Sequence, residues 1–202
     1  MPSPLEVIRS PEVRSLLAKA LKPAISELGF KQGKSETEGW SGWFRETSAL
    51  REFFWIQLSQ SGFDRYSGGQ FIVEFTLSDP VRRTSFRERM WRLLDDVSRR
   101  EVVRINNGAI ASLPGPSREI LYALSESLRS TYAASFKTID ETPSANQDVW
   151  FRYATRGDVE TWGGFIASRF GFAIEECERR LAALEPGTVS IVGAVVRRPS
   201  HG

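Results

Sequence analysis

FFWIQLSQSGFDRYSGGQFIVEFTL, residues 53–77, contains two runs in which apolar side chains return at every second position. Phe54, Ile56 and Leu58 alternate with Phe53, Trp55 and Gln57, and Phe71, Val73, Phe75 and Leu77 alternate with Gln70, Ile72, Glu74 and Thr76. Successive strand side chains point to opposite faces, so period two makes each run a strand, and the two read as antiparallel neighbours. SGFDRYSGG, residues 61–69, supplies the glycines and serines of the long hairpin loop between them. The parity predicts one wholly apolar sheet face that helices must cover. The opposite face mixes aromatic with hydrogen-bonding groups, a composition that suits either partial cover by another element or contact with a partner.

Working outward, WSGWFRETS (40–48) reads as a further strand. Ser10-Pro11 gives an N-cap followed by proline at the first helical position, and Val13, Leu16, Leu17, Ala20, Leu21, Ile25 and Leu28 recur at helical spacing until Gly29 stops the helix. Asp79-Pro80 repeats the cap signal and predicts a second helix with Phe86, Met90, Leu93, Leu94 and Val97 on its apolar face. VVRINNGAIASL (102–113) suits a hairpin turning at Asn107-Gly108 or a helix end followed by a loop, and the hairpin is preferred.

LPGPS (113–117) is the strongest internal break. After it come a helix carrying Leu121, Leu124, Leu128 and Tyr132, a polar loop, and a strand in DVWFRY (148–153). Two short helices follow, one with Val159, Trp162, Ile166 and Phe170, the other with Ile174, Cys177, Leu181 and Leu184. VSIVGAVV (189–196) adds a strand, and 197–202 reads as a frayed tail. The sum is one α+β domain over 1–202, an antiparallel sheet with helices packed on at least one face and a helical C-terminal part.

A chain of 202 residues is long enough to bury roughly 70% of its unfolded surface in one core. Its 41% hydrophobic and 26% charged residues, with a net charge of +2, describe a globular protein without a nucleic-acid tail. A single cysteine, Cys177, excludes an internal disulfide framework and fits a reducing compartment. The opening MPSPLEVIRSPEVRSLL reads as no signal peptide, and no stretch reaches the ~18 to 20 apolar residues of a membrane span. These features predict a cytoplasmic protein outside the membrane.

The inventory for catalysis is thin. The only histidine, His201, stands in the tail, where it cannot be held against a nucleophile or zinc. Asp95-Asp96 and Glu175-Glu176 are helical neighbours about 100° apart, which do not converge on one ion. No phosphate-loop or dinucleotide motif occurs, and Gly68-Gly69 and Gly163-Gly164 read as turn and helix-packing glycines. Cys177 lies on an apolar helical stripe and reads as a core thiol. No cofactor and no metal are expected.

In residues 81–104 eight arginines face four carboxylates. Glu88 with Arg92, Asp95 with Arg99 and Asp96 with Arg100 are i,i+4 pairs in the acid-first orientation, so a helix here neutralises its own arginines. That spacing disfavours nucleic acid as a partner, because phosphate binding needs an uninterrupted cationic stripe.

LKPAISELGFKQGK (21–34) with a following aromatic strand, FFWIQLSQS (53–61), a glycine-serine loop and GGQFIVEFTL (68–77), closed by DVWFRY and DVETW (158–162), resembles the bacterial family catalogued as domain of unknown function 4304. The resemblance covers about two thirds of the chain in pattern. It implies an α+β fold and a bacterial cytoplasmic setting, and it supplies no catalytic residues.

The functional expectation is a non-catalytic binding protein for another protein, with an immunity-like or regulatory role. Its surface is placed on the mixed sheet face and adjoining loop at Trp55, Gln57, Glu74, Arg65 and Tyr66. The alternative is a small-molecule binder or enzyme on the same face, with Arg45, Glu74 and Arg65 as its polar groups. A third reading is a homodimer built on exposed aromatics.

Overall fold

The computed structural model describes residues 4–34, 41–192 and 194–197. Helix α1 (Ser10–Glu27) carries Pro11 in its first turn, where the missing N–H removes nothing from the helical ladder. Its cap is Arg9, with no capping side chain, so Ser10 is the first helical residue rather than the N-cap. Val13, Leu17, Leu21 and Ile25 are buried at i,i+4 spacing. Gly29, at φ +80°, ends the helix in a conformation that glycine adopts without steric cost.

The sheet then builds from β1 (Lys31–Lys34), β2 (Ser41–Glu46), β3 (Arg51–Leu58) and β4 (Gly69–Asp79), each antiparallel to the next. The β3–β4 hairpin has the expected parity. Phe54 faces Phe75, Ile56 faces Val73 and Leu58 faces Phe71, while Trp55 faces Glu74 and Gln57 faces Ile72. The apolar face is covered: Phe54 packs edge-on against Phe170 of the C-terminal helix at 4.6 Å and against Phe30, just past α1, at 5.5 Å.

The segment after Asp79 departs from expectation. Asp79 Oδ1 accepts from the Arg82 amide in a tight turn rather than capping a helix, Arg83 takes φ 52°, and β5 (Thr84–Arg89) runs back along β4. Thr84, Phe86 and Glu88 are its buried positions. The helical spacing of Phe86 with Met90 is real, but β4 is 11 residues long and its open edge has unpaired N–H and C=O groups that a strand satisfies and a helix cannot.

Helices α2 (Met90–Leu93) and α3 (Asp96–Ala111) follow, the latter capped by Asp95 accepting from Ser98 N at 2.7 Å. No hairpin forms at Asn107-Gly108, because α3 passes through it. Asn107 instead clamps the Ile139 backbone, donating to its carbonyl at 2.9 Å and accepting from its amide at 2.8 Å.

The single helix expected after LPGPS is two, α4 (Arg118–Ala123) and α5 (Glu126–Ala134), interrupted at Leu124-Ser125. Strand β6 (Phe151–Tyr153) pairs with the start of β4. The two short helices expected next are one, α6 (Arg156–Ala183), opened by a reciprocal capping box between Thr155 and Asp158. Gly163 lies where α6 meets α1, and a Cβ there would come within 2.5 Å of Ala20 Cβ.

The last expected strand is a hairpin, β7 (Thr188–Ile191) and β8 (Ala194–Arg197), with β7 parallel to β5. The sheet order is β1-β2-β3-β4-β5-β7-β8. The tail beyond 197 lies outside the described residues. The architecture is α+β, with one hydrophobic cluster joining α1, the central strands, α3 and α6. Among the described residues no helix is long and apolar enough to cross a membrane.

Candidate functional site

Trp55 and Glu74 stand side by side on the mixed face, as parity requires, but both are closed in. Trp55 is 3% exposed, with the Arg87 guanidinium 4.8 Å from its ring centre and the Phe53 ring stacked beside it at 5.6 Å. Glu74 is 1% exposed. Its Oε2 accepts from Arg87 Nη2 at 2.8 Å and its Oε1 from Arg89 Nε at 3.0 Å, while Arg89 also pairs with Asp148 at 2.6 Å. The β4–β5 register, with Glu74 opposite Arg89 and Thr76 opposite Arg87, brings both cations over the carboxylate. A buried carboxylate with both oxygens held by arginines has no free oxygen to offer a substrate.

Gln57 is half-buried beside them, Arg65 is exposed on the β3–β4 loop and Tyr66 is half-buried there. Asp64 Oδ1 fixes that loop by accepting from Tyr66 N at 2.9 Å and Ser67 N at 2.7 Å.

Arg45 does not join this group. Its register partner is Glu52, on the face opposite Trp55 and Glu74. There Arg45 Nη2 donates to Glu52 Oε1 and to Glu178 Oε1, each at 2.8 Å, and Nη1 donates to the Leu28 carbonyl at 3.2 Å. Burial, then the hydrogen bond and charge of Glu52, hold the Glu178 carboxyl above the usual carboxylate range. The cluster ties β2, β3 and α6 together at the margin of the core.

Cys177 is fully buried, and burial pushes its thiol well above the ordinary value, so it is a core residue in chemistry as well as position. Among the described residues no three His, Cys, Asp or Glu side chains gather as a metal site.

An open cleft of about 650 Å³ lies elsewhere, between α3 and α6. Helix α3 presents Val97, Arg100, Glu101, Arg104 and Ile105, and α6 presents Thr161, Gly164, Phe165, Ser168 and Arg169. Each set recurs at i, i+3, i+4 and i+7 or i+8, one stripe per helix. Val97 is 61% exposed above a floor of buried Ile105 and Phe165.

Arg104 is neutralised by Glu101, through two bonds of 2.8 and 2.7 Å. Arg100 has no carboxylate partner among the described residues. Arg169 Nε is buried with no hydrogen-bond partner there. Sequence spacing assigned Arg100 to Asp96. In the fold Asp96 pairs with Arg99, Asp95 turns back as the α3 cap, and Arg100 is released into the cleft. Sequence reasoning missed this site because Arg169 reaches Arg100 only through the packing of α6 on α3.

No family model, curated protein or solved structure matches this chain.

Proposed function

We propose that the chain is a non-catalytic binding protein of the bacterial cytoplasm, and that its partner is another protein whose acidic, partly apolar segment occupies the α3–α6 cleft. One observation carries this reading: exposed Val97 and the Ile105–Phe165 floor stand between Arg100, which has no ion-pair partner among the described residues, and Arg169, whose buried Nε has no hydrogen-bond partner there. Apolar contacts flanked by two arginines suit a helix bearing leucines between glutamates, the helix-in-groove mode of recognition. An immunity-like or regulatory role fits such a partner, and the bacterial setting rests on the family resemblance. The buried thiol of Cys177 accords with a reducing compartment.

The test is a photo-crosslinking residue at Val97, used to capture partners from a lysate of the source organism, with and without Arg100→Glu. Capture of one acidic segment, reduced about tenfold or more by the charge reversal, is the expected result. Capture indifferent to Arg100→Glu would remove the cleft as the binding surface.

A homodimer is the second reading, favoured by Phe44 and Ile191, 38% and 49% exposed on the face shared with Phe53 and Arg87. Light scattering across a concentration series decides it, since a constant monomer mass excludes this dimer.

A further inference from the structure

Arg152 stands in β6 opposite Gln70 of β4. Its backbone is fixed on both sides, the amide donating to Asn106 Oδ1 at 2.8 Å and the carbonyl accepting from Trp162 Nε1 at 2.6 Å. Its guanidinium has neither an ion-pair nor a hydrogen-bond partner among the described residues. Burial lowers its pKa from the ordinary guanidinium value, with no carboxylate to counter the effect.

Arg152 borders a pocket of about 80 Å³ walled by Ser61, Ser67, Gln70 and Ser135 together with glycines of the β3–β4 loop. Those glycines explain the closeness of loop and strand. A Cβ on Gly68 would fall 2.4 Å from the Tyr153 carbonyl oxygen, and one on Gly69 would fall 2.4 Å from the Tyr153 ring. Ser59 and Ser61 share one hydrogen bond of 2.7 Å, so when Ser59 donates, the Ser61 hydroxyl proton is free for a ligand.

A desolvated cation without a counter-charge is costly, and a bound anion removes that cost. The lining side chains are polar, which suits a tetrahedral oxyanion accepting hydrogen bonds from several sides. Asp64, the nearest acid of the loop, already accepts from Tyr66 N, Ser67 N and Ser67 Oγ through Oδ1. We infer that this pocket binds a phosphate group, free or as the monoester end of a small molecule, with Arg152 as counter-charge and Gln70 and Ser61 as donors. The site is separate from the α3–α6 cleft and stands or falls independently of it.

The experiment is titration of the full chain with inorganic phosphate, phenyl phosphate and acetate at matched ionic strength, read by amide chemical shifts and melting temperature. The expected result is a saturable shift confined to Gly62, Gly68, Gly69 and Arg152, with a rise in melting temperature. Arg152→Met should weaken binding at least about tenfold, while the variant alone melts no lower than the parent in chloride buffer, because it removes an uncompensated charge. Gln70→Ala supplies a second, milder loss of affinity. Tighter binding of phenyl phosphate assigns the ligand as a monoester, and tighter binding of inorganic phosphate assigns it as the free ion. Equal affinity for acetate, no saturation, or an undiminished response in both variants overturns the site.

Discussion

Removing the indole of Trp55 empties a space closed by Phe53 and by Arg87 above the ring. Trp55→Ala is expected to cost about 3 to 5 kcal/mol, the range for truncating a buried aromatic. Phe75→Ala on the helix-covered face should cost a similar amount, since Phe75 contacts Phe54 and Phe170. Urea unfolding measures both, and an unshifted midpoint for Trp55→Ala would mean that the ring is open to solvent. Glu88 gives a prediction of pH dependence. Burial raises its carboxyl pKa, against the pull of the Arg89 amide and the Arg92 charge. A raised native value means that the folded chain keeps the proton to higher pH than the unfolded chain does. The stability it contributes is full below the unfolded carboxyl pKa of about 4.3 and is lost as pH rises through the native value. Glu88→Gln keeps a neutral acceptor for the Arg89 amide, so its stability relative to the parent should climb between acid and neutral pH. Urea midpoints of the two chains across that window check this, and a difference independent of pH would contradict it.

Two adjacent glycines in α6 serve opposite ends. Gly163→Ala sets a methyl 2.5 Å from Ala20 Cβ and forces α1 and α6 apart, at an expected cost of about 1 to 3 kcal/mol. Gly164 is exposed, and a methyl added there would have no neighbour within 4 Å, so Gly164→Ala should stabilise the helix by about 0.5 to 1 kcal/mol. Melting temperatures moving in opposite directions are the result to look for, and equal shifts would show that the α1–α6 contact is loose enough to take the methyl. The two short helices expected from sequence divide between Phe170 and Ile174, beyond these glycines. The apolar stripe of α6 nevertheless continues from Val159 through Phe170, Ala173 and Ile174 to Leu181 without a change of phase. In α3 the misleading signal was Asn106-Asn107-Gly108, turn chemistry by composition. Both asparagines are spent on distant backbone groups, those of Arg152 and Ile139, so the helix survives them.

The sheet is closed on one side by the C-terminal hairpin. Gly187 N donates to Arg82 O at 2.9 Å and Val192 N to Arg87 O at 2.8 Å, and β7 runs parallel along β5. A chain ended after Leu184 loses this cover and exposes the β5 edge. It is expected to associate or precipitate on expression, by the pairing tendency of open edges, and a monomer with unchanged melting by light scattering and calorimetry would refute that. The sequence alone determined the β3–β4 hairpin with its two faces, the extent of α1 and the α+β class, because periods of 2 and 3.6 and a glycine at positive φ are local properties of the chain. Tertiary structure decided the rest. The segment at 84–89 became a strand because the long edge of β4 needed hydrogen bonds. Arg45 turned from Glu74 to Glu52 and Glu178 because the β2–β3 register set its face. Arg100 and Arg169 met across α3 and α6, and Arg152 came to the β3–β4 loop, through contacts between segments far apart in sequence. Strand-edge pairing and the desolvation of charge depend on what is brought near in space, and no spacing along the chain records that.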